Sequence, residues 1–186
     1  MDRFREDLLE SQTVFSGRLL QVRVDRVRLG DGTEATREIV VHPGAVAAVP
    51  LLDNDVLLVR QWRQPLGRET IEIPAGTLRS GEAPEDCVVR ELQEEIGFRP
   101  GRLELLLSVA LAPGYSSEII HIYLAEELEP AEAGGDFDER VGVVRMPFNQ
   151  AVRMCLDGEL ADAKTAVGIL TVAIRSGRTP ADWGRD

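Results

Sequence analysis

The sequence is poor in cysteine and lacks long apolar segments. Cys87 and Cys155 are its only cysteines, too few for a disulfide scaffold or for a zinc site built from cysteine alone. No segment reaches the roughly 20 apolar residues of a membrane-spanning helix, and the first seven residues are too charged for a signal peptide. We therefore expect a protein of the reducing cytoplasm that has no membrane partner.

Basic residues are also scarce relative to acidic ones. The 186 residues include 21 Lys and Arg against 32 Asp and Glu, which gives a formal net charge of −11 and a pI of about 4.7. Nucleic acid binds to basic surfaces, so this balance argues against a nucleic-acid partner. The 44% apolar and 28% charged residues that are present are typical of a folded protein with one core. The acidity fits either ordinary solvated side chains or a carboxylate site that binds a cation.

The order of the predicted elements indicates two parts. Residues 1–41 are predicted to form a small antiparallel β unit with a turn at residues 30–32. Residues 42–186 are predicted to form the main domain, with strands at 45–52, 56–61, 70–73, 103–107 and 118–125 and helices at 84–96, 149–156 and 163–175. This order indicates a mixed α/β sandwich. A solvated loop is predicted to contain the acidic residues Asp136, Asp138 and Glu139.

The predicted helix at residues 84–96 has two different faces. At about 100° per residue, Glu91, Glu94 and Glu95 share an arc of roughly 100°. The other side carries the apolar residues Val88, Val89, Leu92 and Ile96. Repulsion among three carboxylates destabilises a helix, whereas Mg²⁺ and Mn²⁺ prefer carboxylate oxygens as ligands. Taken alone, the cluster is more typical of an exposed acidic surface than of a metal site. Arg90 and Glu82 are predicted to form an ion pair that orients the acids.

A longer pattern contains this helix. Over 23 residues the sequence resembles the signature of the Nudix hydrolases at Gly76, Glu82, Arg90-Glu91-Leu92, Glu94-Glu95 and Gly97-Phe98. The resemblance implies the family's α/β/α sandwich and hydrolysis of the diphosphate of a nucleoside diphosphate linked to another group. It also implies two or three bound Mg²⁺ ions, with Mn²⁺ as the alternative. The implied metal ligands are Glu91, Glu94, Glu95 and the backbone carbonyl of Ala75. Glu94 is also a candidate base, and Arg90 and Glu82 are implied orienting residues.

The segments around the signature are similar to the ADP-ribose pyrophosphatase branch of that family. They are Val-Arg-Gln-Trp-Arg at 59–63, Ile-Glu-Ile-Pro-Ala-Gly at 71–76 and Ala-Pro-Gly-Tyr-Ser-Ser-Glu at 112–118. The similarity implies cleavage of ADP-ribose to AMP and ribose 5-phosphate, with Arg63, Glu72 and Gly114 in the substrate site and Glu118 as the general base. Pairing with an arginine is the structural alternative for Glu72. Two other functions stay open: a pyrophosphatase for GDP-mannose, FAD or NADH, and a module that binds ADP-ribose without cleaving it.

The same similarity implies a homodimer. In this branch the N-terminal strands are exchanged and complete the adenine pocket of the partner. Here Leu19 occupies the matching place, and the accompanying arginine is not fixed among Arg23, Arg26 and Arg28. A core position is the alternative for Phe15 and Leu19. Outside this pocket, a packed position is predicted for Trp62 and structural roles for His42 and His121.

Overall fold

The computed structural model describes residues 4–132 and 141–177. The chain divides into two compact units, one of Met1–Gly44 with Ala110–Ile119 and one of Ala45–Val109 with Ile120–Asp186. The predicted acidic loop of Asp136, Asp138 and Glu139 lies outside the described residues. Among those described, no helix is both long enough and apolar enough to cross a bilayer.

The first unit is built on a three-stranded antiparallel sheet. Its strands, in spatial order, are β1 (Asp7–Ser16), β2 (Gln21–Arg28) and β3 (Glu34–Val41). The turn predicted at residues 30–32 joins β2 to β3, and Gly32 adopts a φ of 89° there. Of the residues in these three strands, only Asp25 and Val27 are buried. The sheet therefore has almost no core of its own, as expected for so small a β unit.

The second unit contains a mixed sheet. Its strands are β4 (Ala45–Leu52), β5 (Asp55–Arg63), β6 (Arg68–Glu72), β7 (Ala75–Thr77), β8 (Phe98–Ala110), β9 (Ile119–Pro130) and β10 (Gly142–Pro147). The main order is β10-β5-β4-β9-β8, and β6 and β7 pair with β5 and β4. β4 runs parallel to β9 but antiparallel to β5 and β7. Residues 46–49 of β4 are fully buried, as expected for a central strand covered on both faces.

Three helices cover the two faces of this sheet. They are α1 (Pro84–Ile96), α2 (Phe148–Leu156) and α3 (Ala163–Arg175). Alternate residues of β4 and β5 separate into two cores: residues 46, 48, 57 and 59 pack with α1, and residues 47, 49, 56 and 58 pack with α2 and α3. Because successive side chains of a strand point to opposite faces, α1 lies on one side and α2 and α3 on the other. The predicted α/β/α sandwich is confirmed.

Gly97 ends α1 in the left-handed conformation. Its φ is 73°, and its N–H donates to the Gln93 carbonyl at 3.1 Å. This is the helix stop that the sequence predicts, since glycine adopts that conformation without steric cost. The cap places the chain in position to begin β8 at the next residue.

Replacing Gly97 with alanine should destabilise the protein without changing its fold. A left-handed conformation costs an L residue about 1–2 kcal/mol, so the free energy of unfolding measured by urea denaturation should fall by about 1 kcal/mol. Gly142→Ala is the matched control, because a Cβ there meets only the Arg60 carbonyl oxygen, at 3.9 Å. Equal stability of the Gly97 variant and wild type would contradict the role of this cap.

Candidate functional site

Glu91 of α1 lies against the backbone of β7. The side chain is buried, and a Cβ atom placed on Gly76 would come within 1.9 to 2.5 Å of its carboxyl atoms. No side chain fits in that space, so only glycine permits this approach. The close contact explains why a glycine opens the signature 15 residues before Glu91.

Arg90 forms ion pairs with three glutamates at this face of α1. Its Nε and Nη2 donate to the two Glu82 oxygens at 2.9 and 3.1 Å. Its Nη1 donates to Glu91 Oε1 at 2.5 Å and to Glu94 Oε2 at 2.9 Å. The expected ion pair with Glu82 is therefore present, and its hydrogen bonds lower the pKa of Glu82 to about 2. The same bonds, together with the Glu91 and Glu94 carboxylates, raise the pKa of Arg90.

Glu95 contacts the backbone of β7. The Ala75 N–H donates to Glu95 Oε2 at 2.9 Å. Ala75 is itself paired with Ala47 of the buried strand β4. The position of this carboxylate therefore depends on a strand that lies far from α1 in the sequence.

The signature carboxylates provide the donor set of a hard divalent cation. In the described part of the chain, no three His, Cys, Asp or Glu side chains are already arranged as a metal-binding cluster. Instead, Glu91 and Glu94 both accept hydrogen bonds from Arg90. Glu95 accepts a hydrogen bond from the Ala75 N–H. Three carboxylates on one helix face nevertheless fit Mg²⁺ or Mn²⁺, which prefer oxygen ligands. Glu91, Glu94 and Glu95 are therefore the side chains that would hold such an ion.

A second charged cluster surrounds Glu72 at the end of β6. Glu72 is only 2% exposed. Its carboxylate accepts hydrogen bonds from Arg63 Nε and Nη2 at 2.7 and 2.6 Å, from Thr70 Oγ1 at 2.6 Å and from Lys164 Nζ. Burial raises the pKa of Glu72, but the bonds from Arg63 and Lys164 outweigh it and bring the pKa to about 2. The paired arrangement that was the alternative for Glu72 is thus observed.

Only one edge of the Arg63 guanidinium is hydrogen-bonded to Glu72. Nε and Nη2 hold Glu72, whereas Nη1 has no hydrogen-bond partner in the described residues, and the side chain is 39% exposed. It lines a cavity of about 300 Å³ with Arg68, Thr70, Glu72, Asp162 and Lys164. The bond to Glu72, followed by the charges of Asp162 and Glu95, raises the pKa of Arg63. Arg63 therefore lies within electrostatic range of the signature carboxylate Glu95.

The sequence interpretation missed Lys164. It is the only lysine among the 21 basic residues, and it is 7% exposed at the start of α3. Its ammonium group contacts Glu72 and lies 3.0 Å from Asp162 Oδ2. A single lysine in a chain whose other 20 basic residues are arginines was the signal that could have identified it.

Glu118 lies in the first unit, on a loop that is hydrogen-bonded to β3 and the residue after it. The Val40 N–H donates to the Tyr115 carbonyl at 2.7 Å, and the Ser117 N–H donates to the Val40 carbonyl at 3.0 Å. Ser117 Oγ also accepts from the His42 N–H at 3.0 Å. Glu118 Oε1 lies 3.8 Å from His42 Nδ1. Gly114, on the same loop, has open space where a Cβ would be.

The N-terminal candidates lie on the surface of the first unit. Phe15 and Leu19 are more than half exposed, so the alternative of a core position is wrong for both in this chain. Arg26 pairs with Glu10 and Glu34, and Arg28 pairs with Glu34. The two arginines thus belong to an ion-pair network across the three strands.

Three other conspicuous residues, Trp62, His42 and His121, were expected to have structural roles. Trp62 does not pack as predicted: it is more than half exposed near the end of β5, where Nε1 donates to Gln64 at 2.8 Å. His121 Nδ1 lies 2.7 Å from Ser108 Oγ. In the first unit, His42 Nδ1 accepts the Gly44 N–H at 3.1 Å. Both histidines therefore have the local partners that a structural role requires.

Family models match both parts of the chain. A model described as NUDIX domain matches residues 41–166, and one described as nucleoside diphosphate sugar hydrolase N-terminal domain matches residues 6–40. The chain therefore belongs to the NUDIX family, and the resemblance of the signature is confirmed.

Similar proteins span nearly the whole chain. The methanol dehydrogenase activator of Bacillus methanolicus is 39% identical over 169 residues, which are 89% of this chain and 91% of the relative. The ADP-ribose pyrophosphatase of Bacillus subtilis (strain 168) is 38% identical over 172 residues, which are 91% of this chain and 93% of the relative. A crystal structure described as an ADP compounds hydrolase superposes with a TM-score of 0.85 at 25% identity, covering 96% of this chain and all of its own.

The buried Glu72 cluster predicts a pH-dependent stability. Because the pKa of Glu72 falls from 4.5 to about 2 on folding, the ionised carboxylate stabilises the fold above its unfolded pKa, and this contribution is lost as the pH falls through the folded pKa. The Glu72→Gln variant should therefore be much less stable than wild type at pH 7, with a difference that shrinks below about pH 5. Urea denaturation across this range measures it.

Glu104→Gln is the matched control for this experiment. Glu104 forms an exposed ion pair with Arg175 at 2.8 Å, and such pairs contribute little to stability. A stability difference between wild type and Glu72→Gln that stays constant from neutral to acidic pH would contradict the assignment.

Proposed function

We propose that this protein hydrolyses ADP-ribose to AMP and ribose 5-phosphate. The observation that carries the proposal is the placement of the signature glutamate Glu95 within electrostatic range of Arg63, whose Nη1 is not hydrogen-bonded to Glu72. Glu91 and Glu94 lie on the same helix face as Glu95 and are held there by Arg90. The full-length similarity to an ADP-ribose pyrophosphatase and the superposition on an ADP compounds hydrolase support the same substrate class. The required chemistry is attack by water on one phosphorus of the diphosphate.

In this proposal Arg63 binds the diphosphate. A guanidinium is a permanent cation whose planar donors match phosphate oxygens. Glu72 holds the Nε and Nη2 edge through two bonds of 2.7 and 2.6 Å. The remaining donors of Nη1 are therefore presented in one direction, ready to bind phosphate without first being ordered. Such preorganised positive charge lowers the cost of binding the diphosphate equally in the ground state and in the transition state.

The signature carboxylates are proposed to hold Mg²⁺, in two or three ions per site, with Mn²⁺ as the alternative. When bound, such ions neutralise the diphosphate and promote ionisation of the attacking water. Arg90 keeps Glu91 and Glu94 at fixed places on α1, and the Ala75 N–H does the same for Glu95. We retain Glu118 as the general base and Glu94 as the alternative base; a pH–rate profile of the Glu118→Gln variant that is identical to that of wild type would exclude Glu118.

A panel of diphosphate substrates tests the proposal. With Mg²⁺ present, kcat/KM should be highest for ADP-ribose, and AMP and ribose 5-phosphate should form in equal amounts. GDP-mannose, FAD and NADH make up the rest of the panel, with products identified by chromatography. Preference for one of these compounds would replace the proposed substrate, whereas tight binding of ADP-ribose without AMP formation would indicate a binding module.

Two variants of α1 complete this experiment. Glu95→Ala should abolish ADP-ribose hydrolysis, with a loss of kcat of about 10³-fold or more, because it removes a charged group that the chemistry requires. Asp86→Asn is the matched control: Asp86 is an exposed acid in the first turn of the same helix, and its variant should retain activity. A folded, fully active Glu95→Ala enzyme would contradict the proposed metal site.

We also propose a homodimer in which the N-terminal strands are exchanged. In the first unit, four apolar residues are each more than half exposed: Leu8, Val14, Phe15 and Leu19. Exposed apolar side chains grouped on one small sheet are typical of a surface that is covered by a partner. In the dimer, Leu19 with Arg26 or Arg28 would contact the adenine.

Sedimentation velocity tests the dimer. The 20.5 kDa chain should sediment as a species of twice that mass, and a Phe15→Ser variant should dissociate more readily because it places a polar group on the proposed contact surface. The Arg102→Gln variant, which changes an exposed ion pair of the second unit, is the control. A wild-type protein that remains monomeric at high concentration would contradict the proposal.

A cytoplasmic location completes the proposal. The two cysteines are both free thiols, as is usual in a reducing compartment. Burial raises the pKa of Cys87 to about 12 and that of Cys155 to about 11, which keeps both thiols protonated and unreactive. Cell fractionation tests the location.

A further inference from the structure

We propose that Lys164 is a positioning residue of the hydrolytic site: it holds Glu72 and, through Glu72, fixes the direction in which Arg63 faces the substrate diphosphate. The inference rests on the proposed function, because it uses the assignment of Arg63 to the diphosphate. Lys164 belongs to neither the signature nor its flanking segments, and it lies 92 residues from Glu72 in the sequence.

The burial of Lys164 shows that its ammonium group is an integral part of the charged cluster around Glu72. Lysine is almost never buried unless it is paired, and Lys164 is 7% exposed. Its ammonium group bonds to Glu72 Oε2 and lies 3.0 Å from Asp162 Oδ2. An ammonium is a compact donor that bonds in several directions, whereas the planar guanidinium used elsewhere in this chain bonds within one plane. A point donor suits a position between two carboxylates.

Lys164 and Arg63 share the same carboxylate oxygen. Glu72 Oε2 accepts from Arg63 Nη2 at 2.6 Å and from Lys164 Nζ, while Oε1 accepts from Arg63 Nε at 2.7 Å and Thr70 Oγ1 at 2.6 Å. Each oxygen thus has one bond to Arg63 and one to another residue. The second bonds fix the plane of the carboxylate, and the paired guanidinium takes up the same plane. Loss of Lys164 would remove the second hydrogen bond to Glu72 Oε2 and leave the plane of the carboxylate less firmly fixed.

The start of α3 is itself fixed to the chain beside Glu72. Thr165 Oγ1 accepts the Ile73 N–H at 2.9 Å and donates to Asp162 Oδ2 at 2.5 Å. Asp162 also caps α3 by accepting the Thr165 N–H at 2.9 Å. Lys164 is therefore held in a rigid first turn that is attached to the residue after Glu72. Lys164 can therefore fix the position of the Glu72 carboxylate as well as balance its charge.

The charge balance gives Lys164 a second effect on Arg63. Lys164 and Arg63 contribute two positive charges, and Glu72 and Asp162 contribute two negative charges, so the cluster is neutral. Without Lys164 the group would carry a net negative charge beside Nη1 of Arg63, which is not bonded to Glu72. A diphosphate would then meet repulsion at the place where Arg63 is proposed to bind it.

The test is the kinetic behaviour of Lys164→Met on ADP-ribose. Removing a group that only orients a binding residue should raise KM about tenfold and change kcat little. In a double-mutant cycle, Lys164→Met should add little to the effect of Arg63→Gln, since both remove the same interaction. Arg175→Gln, which removes a cation from the exposed end of the same helix, should keep the wild-type KM.

A wild-type KM for Lys164→Met, or effects that add fully in the cycle, would overturn the positioning role. Hydrolysis of ADP-ribose by the wild-type enzyme is measured separately and tests the proposed function. An active enzyme whose KM is insensitive to Lys164 therefore counts against this inference alone.

A second measurement needs no change at Lys164. Because the chain has one lysine, protein labelled with ε-¹³C lysine gives a single lysine resonance. Addition of a methylene-bridged ADP-ribose analogue with Mg²⁺ should shift this resonance in wild type and leave it unchanged in Arg63→Gln. A wild-type resonance that does not move at saturating analogue, with binding verified by calorimetry, would also overturn the inference.

Discussion

Repulsion between carboxylates that must lie side by side is the constraint on which the second unit depends. Glu91, Glu94 and Glu95 occupy one face of α1, where like charges destabilise the helix. The structure compensates with Arg90, which bonds to two of them, and with the Ala75 N–H, which bonds to the third. Gly76 must lack a side chain for Glu91 to reach its place. The positions of the α1 glutamates therefore depend on the backbone of β7 and on the missing side chain at Gly76.

The segment from Glu72 to Gly76 connects this arrangement to the other face of the sheet. Its first two residues bond to the start of α3, and its last two contact glutamates of α1. The two helices lie on opposite faces of the sheet, and this five-residue segment receives side chains from both. In the proposed function, an acidic protein thus presents positive charge to an anionic substrate through Arg63, while Lys164 offsets the negative charge of Glu72 and Asp162. Divalent cations bound by the glutamates would add to this positive charge.

Elements with local signals were predictable. Pro84 and Gly97 bracket α1, and the predicted bounds of α3 match the structure, because caps and apolar spacing are encoded within each helix. The short strands β7 and β10 were not predicted. They have three and six residues, and each is defined by pairing with a partner distant in sequence. Trp62 was assigned to the core because aromatic residues in strands usually pack, but the residue lies near an exposed strand end.

The sequence by itself determined the family, the three carboxylates on one face of α1 and the ion pair between Arg90 and Glu82, since these depend on spacing within a single helix and its preceding loop. Only the tertiary structure decided how Glu72 is used. Its partners come from the neighbouring strand β5 and from α3, 92 residues later. Burial then forces the carboxylate to be paired, and which cations provide the pairing depends on how α3 packs on the sheet. No pattern within the sequence specifies that packing.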